Sequence, residues 1–235
     1  MKRIIKISLI LLLVGMAVIA AVPFFKEKRA ERKYENEFKN IQESVTEKKA
    51  DVNGLIKINK DCIGYVEIPG TTISYPVMQT KDKPDFYLNH DFNRNYSFYG
   101  TPYLSAYCDV NKSDNLIIYG HNINGGKMFG ALEKYKDKEF FNKDRKIYFT
   151  TDKKREYEVF AVMSVNIHEF EYWKFIMAKD EKEYDEFVDK VEEHSPWRQE
   201  NKPKYGEQML MLSTCDNGKG DDWRIVVIGK EIFLK

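Results

Sequence analysis

Three side chains in this sequence have the types that acyl-transfer chemistry needs: Cys215, His121 and Arg224. Cys215 ends the run QMLMLSTC (208–215), a polar stretch DNGKGDD follows, and WRIVVIGKEIF (223–233) returns. That pattern predicts two strands joined by an extended turn. Cys215 then closes the outgoing strand, Arg224 opens the returning one, and their sequence separation collapses to neighbourhood at one edge of a sheet. Alternation along a strand places Met209, Met211, Ser213 and Cys215 on one face, and Arg224, Val226 and Ile228 on one face of the next strand. His121 ends the apolar stretch NLIIYG (115–120) and opens the glycine-rich loop HNINGG. A strand fixes its position while the loop gives access. A thiol attacks a carbonyl as its thiolate, a form that an adjacent imidazolium or guanidinium favours. The same imidazole can protonate a leaving amine, and a permanently charged Arg can stabilise the oxyanion.

Taken singly, each of the three has a plainer reading, such as a packed thiol or a solvated strand-end charge; their joint placement sets them apart. The other cysteines, Cys62 and Cys108, read as small buried hydrophobes. His90, His168 and His194 read as surface or hydrogen-bonded histidines. With three cysteines, pairing within the chain is incomplete, and in an exported protein the odd one pairs between chains or stays a working thiol.

The elements that must hold these residues are short β-type runs separated by turn signals. IGYVEI (63–68) and TISYPV (72–77) flank Pro69-Gly70, and PYLS (102–105), NLIIYGH (115–121), KIYFTT (146–151) and REYEVFAVMSVNI (155–167) follow. With the final pair this makes about eight strands, which favours an antiparallel barrel or a sandwich. Two helices are expected between them. One begins near Lys127 and carries Met128, Leu132 and Tyr135. The other starts at Asp180, with Glu183 three residues on, buries Tyr184, Phe187, Val188 and Val191, and stops at Ser195-Pro196.

The N-terminus is different. Ile7–Phe25 is an uncharged run of 19 residues, long enough at about 1.5 Å per residue to cross a hydrocarbon layer of about 30 Å. A cleaved signal peptide with a site near Ala20 competes with an uncleaved anchor, which fits the length better. Positive charges flank both sides, so charge counting does not orient the span. Beyond it, Ala30, Tyr34, Phe38, Ile41 and Val45 fall on one helical face, as in a stalk that packs on the domain after it. The expected division is a membrane anchor over 1–25, a helical stalk over 26–54 and one catalytic domain over 55–235.

Composition and motifs exclude several classes. A net charge of +1 gives no basic surface for nucleic acid. Gly125-Gly126-Lys127 is not a phosphate loop, because Met128 stands where Ser or Thr is required. DNGKGDD lacks the alternating acidic ligands and distal Glu of a calcium loop, and no Cys or His pair has zinc spacing. No metal or other cofactor is expected. An L,D-transpeptidase would carry His-Gly immediately before its cysteine, where Leu-Ser-Thr stands here.

At the three chemical residues the chain resembles the sortases. Leu212-Ser213-Thr214-Cys215 resembles their TLxTC signature, with Met211 where Thr is common; Arg224 follows in an RIVV strand; and Tyr119-Gly120-His121-Asn122 resembles the family's histidine motif. The resemblance extends from residue 55 onward. The helical insert between 168 and 208, the N-terminal stalk and Phe86–Phe92 (FYLNHDF) resemble class B, although Lys83-Pro84-Asp85 replaces an Asn-containing run. The resemblance implies a mainly β fold, a closed eight-stranded barrel with peripheral helices, after a membrane helix and stalk. It implies cleavage of an NPxT-type sorting motif after Thr through a thioacyl intermediate on Cys215, with hydrolysis as a side reaction. The implied partners are surface proteins bearing that motif and an amine on a peptidoglycan precursor, or on a pilin subunit in a polymerising enzyme. Leu88, Tyr119 and Ser213 would line the motif-binding groove. The catalytic domain would lie outside the cell on a single-pass anchor. The alternative from another class is a non-catalytic surface binding module on the same anchor.

Overall fold

The structure, a computed structural model, describes residues 52–143 and 146–232, together with scattered residues between Lys6 and Lys39. The chain divides into two compact units, 1–47 and 48–235. In the first unit the described residues, including all of 15–26, are helical. Among the described residues no helix is long and apolar enough to cross a membrane. Residues 7–11, 13 and 14 of the apolar run 7–25, and all five residues of the expected stalk stripe, lie outside the described residues.

The second unit opens with helix α1 (Val52–Ile58). Strands β1 (Cys62–Glu67), β2 (Ser74–Met78), β3 (Tyr103–Leu104) and β4 (Asn115–Tyr119) follow. A small hairpin, β5 (Asn122–Ile123) with β6 (Lys127–Met128), leads into a 3-10 segment (Phe129–Lys136) and helix α2 (Lys138–Lys143). Then come β7 (Lys146–Thr150), β8 (Lys154–Asn166), helix α3 (Glu181–Glu193), β9 (Trp197–Arg198), β10 (Met209–Cys215) and β11 (Trp223–Ile232).

Eight strands close a barrel in the order β11-β10-β4-β3-β2-β1-β7-β8, because β8 pairs with β11 as well as with β7. Closure removes the sheet edges that would otherwise template aggregation. These eight are the eight runs expected from the sequence. The pairing is not antiparallel throughout, since β4–β10 and β2–β3 are parallel. The runs Leu116–Ile118, Met209–Leu212 and Ile225–Ile228 are sealed from solvent on both faces, which is why they read as continuous apolar stretches rather than as alternation. The short β9 adds to the free part of β8 at Ala161 and Val162.

Two helical expectations fare differently. Around α3, Asp180 caps the N-terminus by accepting the Glu183 backbone N–H at 2.9 Å, while the Glu183 carboxylate accepts from the Lys179 N–H at 2.7 Å. Tyr184, Phe187, Val188 and Val191 are its buried face, as expected, each such burial contributing on the order of 2 kcal/mol. The helix expected from Lys127 is instead strand β6 followed by a 3-10 segment that begins at Phe129. Met128 takes a left-handed φ of 51°, and this reversal, donating its N–H to the Tyr75 hydroxyl at 3.1 Å, prevents a helix from running through 127–128.

Candidate active site

The β10–β11 register sets Cys215 directly opposite Arg224, and the parallel β4–β10 register sets Ser213 opposite Tyr119. Chain ends of three adjacent strands therefore meet at one rim of the barrel. A cavity of about 940 Å³ opens there, and Leu88, Tyr119, His121, Ser213, Cys215 and Arg224 all line it. The six residues singled out in the sequence are thus brought to one place. Cys215 is half-buried, whereas Ser213 and Thr214 before it are closed off.

His121 sits just beyond β4 and is held from two sides. Its Nε2 lies 2.8 Å from the Leu88 carbonyl. A carbonyl only accepts, so Nε2 carries the hydrogen, and Nδ1 is the atom that takes a second proton. Leu88 belongs to a 3-10 turn (Phe86–Asn89), and its carbonyl is set by Gly100, whose φ of +59° and contact with the Tyr87 and Leu88 carbonyls leave no room for a side chain. The backbone on the other side is tied to β10, where the Thr214 hydroxyl donates to the Gly120 carbonyl at 2.7 Å. Gly120 itself packs on the Phe129 ring, within reach of any added Cβ. The Phe98 ring lies parallel to the imidazole, with centroids 6.4 Å apart.

Arg224 is anchored through one arm of its fork. Nη1 donates to the Asp221 carbonyl at 2.5 Å and to the Trp223 carbonyl at 3.0 Å, leaving Nε–H and the Nη2 pair without partners among the described residues. The N–H of Asp216, the backbone donor next after the thiol, is committed to the Trp223 carbonyl at 2.8 Å. The unanchored arms of the guanidinium fork thus stand as donors across the hairpin from Cys215.

The walls are rich in phenols. Tyr172 shares a hydrogen bond with the Ser213 hydroxyl at 2.7 Å; burial pushes its pKa up to about 12, against the Ser213 hydrogen bond and the Arg224 charge. Burial likewise raises Tyr119 and Tyr103. All three stay neutral at ordinary pH. The Tyr103 hydroxyl donates to Asp85 at 3.2 Å, and its ring lies 5.5 Å from that of Tyr119. Asp85, Tyr103, Tyr107, Trp173 and Lys174 line the cavity without having been picked out as site residues in the sequence. Trp173 and Lys174 come from the 168–208 insert, and only the register of β3 against β4 brings Tyr103 to Tyr119.

His90, His168 and His194 do not line this cavity. His90 and His194 are bound by their own turns through the Phe86 and Lys190 carbonyls. Among the described residues no cluster of His, Cys, Asp or Glu is arranged to hold a metal ion. The arrangement can present a nucleophilic thiol, a proton-carrying imidazole and a fixed guanidinium to one carbonyl group.

A family model described as "Sortase domain" matches residues 66–232. Sortase B of Staphylococcus aureus is 28% identical over 242 residues, covering 99% of this chain and 98% of the relative. Sortase B of Listeria monocytogenes is 32% identical over 184 residues, 77% of this chain and 73% of that one. The solved S. aureus sortase B–substrate complex superimposes with a TM-score of 0.74 at 27% identity, covering 89% of this chain and 98% of that one.

Proposed function

The chain belongs to the sortase family of transpeptidases, in its class B branch, and from that premise we propose a cysteine mechanism on an NPxT-type sorting motif. The Cys215 thiolate attacks the carbonyl of the motif's Thr. The oxyanion that forms is met by Nε–H and Nη2 of Arg224. As the C–N bond breaks, His121 gives its Nδ1 proton to the leaving amine, and the acyl group remains on sulfur as a thioester. An incoming amine then attacks the thioester, His121 takes the proton that amine loses, and the thiol is restored with a new amide formed. Water in place of the amine gives hydrolysis.

The observation that carries this reading is the pairing of Cys215 with Arg224 across one hairpin, on the wall of a cavity that His121 also lines. Leu88, Tyr119 and Ser213 serve as groove residues on the same support. The helical insert contributes Trp173 and Lys174 to the wall, which supports a class B preference for NPxT over LPxTG. In the same proposal the apolar run 7–25 is an uncleaved anchor, the catalytic domain stands outside the cell, and the acceptor is a cell-wall amine.

The test is a panel of NPxTx and LPxTG peptides incubated with the detergent-solubilised full chain, with and without an amine acceptor. Cleavage after Thr in NPxT peptides, with transfer when amine is present, is the expected result. Preference for LPxTG would overturn the motif assignment. Absence of any cleavage would overturn the mechanism and favour a binding module.

A further inference from the structure

The peptide unit joining Cys215 to Asp216 is gripped at both ends by one circuit of side chains outside the cavity. Asn122 Nδ2 donates to the Cys215 carbonyl at 2.8 Å and to Glu133 Oε1 at 2.8 Å. Glu133 Oε2 pairs with Lys136 Nζ at 2.7 Å. Lys136 Nζ donates to Asp216 Oδ1 at 2.7 Å, and Ser164 of β8 donates to Asp216 Oδ2 at 2.5 Å. The circuit closes on itself through the backbone between 215 and 216.

The Asp216 side chain is fully buried, where an unpaired carboxylate would be costly. Burial alone would raise its carboxyl, but the hydrogen bonds from Lys136 and Ser164 and the Lys136 charge outweigh that and hold it below its ordinary value. Lys136 is partly exposed, so its pair with Glu133 by itself contributes little. With both Asp216 oxygens engaged by Lys136 and Ser164, this carboxylate is not the orienting partner of His121, whose Nε2 is held by the Leu88 carbonyl instead. The 3-10 segment that carries Glu133 and Lys136 also holds the histidine, since the Phe129 N–H donates to the His121 carbonyl at 2.9 Å. None of Asn122, Glu133, Lys136, Ser164 and Asp216 lines the cavity.

We propose that Lys136 is a positioning residue: through Asp216 on one side, and Glu133 and Asn122 on the other, it fixes the Cys215–Asp216 peptide and so the direction of the thiol relative to His121. The inference rests on the reading of Cys215 and His121 as the reacting pair. Displacement of a reacting atom by about 1 Å can cost about 10²-fold in rate, so a loosened clamp acts on turnover while substrate binding in the groove is untouched.

The test uses the full chain and three variants: Lys136→Met, Lys136→Arg, and Lys136→Met combined with Asp216→Asn. Two rates are measured, peptide cleavage and alkylation of Cys215 by iodoacetamide, with thermal melts alongside. Lys136→Met is expected to lower kcat by about tenfold to a hundredfold with KM within about twofold, and to slow alkylation. Lys136→Arg keeps charge and donors and should recover most of kcat. The double variant removes the unpaired buried charge, so its melt should recover while its kcat stays low. Restoration of kcat together with the melt would overturn the proposal, because Lys136 would then only neutralise Asp216. Unchanged kcat and alkylation in Lys136→Met would also overturn it. If Lys136→Met does not fold, the double variant decides alone. If the wild type cleaves no peptide, the catalytic reading falls, and the alkylation rates still judge the clamp.

Discussion

The three thiols of this chain occupy two kinds of surroundings. Cys62, at the start of β1, and Cys108, in the loop before β4, are sealed in the interior, and burial pushes their pKa values up to about 12 and about 11. Cys215 ends its strand half-buried on a cavity wall, with a guanidinium as its cross-strand partner. The same functional group is a packing atom in one region and a candidate nucleophile in the other. The difference lies in what each thiol faces: Cys62 and Cys108 turn into the core, whereas Cys215 stands on the cavity wall at the rim.

That contrast can be broken most forcefully at the histidine. His121→Ala should reduce peptide cleavage by on the order of 10³–10⁴, while His90→Ala and His168→Ala leave it near wild type; steady-state kinetics on the three decide. Equal losses at His90 or His168 would mean the rim has been misassigned. The thiols themselves come next. At about pH 8 the ionised fraction of Cys108 is on the order of 10⁻³, and that of Cys62 smaller still. Iodoacetamide should therefore label Cys215 alone until the protein is unfolded, as peptide mapping would show. The raised thiols also fix a sign. Their contribution to stability is intact below their ordinary value of 9.0 and declines as pH rises toward 11 and 12, so melts should fall on the alkaline side.

Arg224→Lys keeps the charge but loses the fork that Nη1 anchors, and turnover should drop by about 10²–10³. A drop confined to KM would sharpen the picture differently, making Arg224 a grip on the motif rather than on the oxyanion. The smallest effect is expected far from the rim. Asp180→Ala removes the α3 cap and should cost about 1 kcal/mol of stability with kinetics unchanged, which a denaturant titration beside an activity assay would measure.

The rim was legible in the sequence because its evidence is local. A hairpin needs only two apolar runs and a polar turn, and that alone sets Cys215 against Arg224. The apolar face of α3 was legible for the same reason, through a 3.6-residue period and a cap. What the sequence concealed depends on distant pairing. The parallel β4–β10 contact joins residues about a hundred positions apart, and no local pattern announces it. The 3-10 segment's packing against β10 and β11 likewise brings Lys136 to Asp216, 80 positions away, so their ion pair was invisible although both residues are ordinary charges in the sequence. Between β6 and α2, the amphipathic spacing of Met128, Leu132 and Tyr135 suggested an α-helix. The observed strand and 3-10 segment bury the same side chains, so the pattern reported burial correctly and conformation wrongly.

The central claim is that Cys215 carries the acyl group. Intact-mass spectrometry on the full chain, mixed with an NPxT-type peptide in the absence of amine, tests it most directly. The account predicts an adduct equal to the peptide fragment ending in Thr, mapped to Cys215, released by hydroxylamine and absent from Cys215→Ala. Cleavage by a folded Cys215→Ala variant, or an adduct on any other residue, would contradict it.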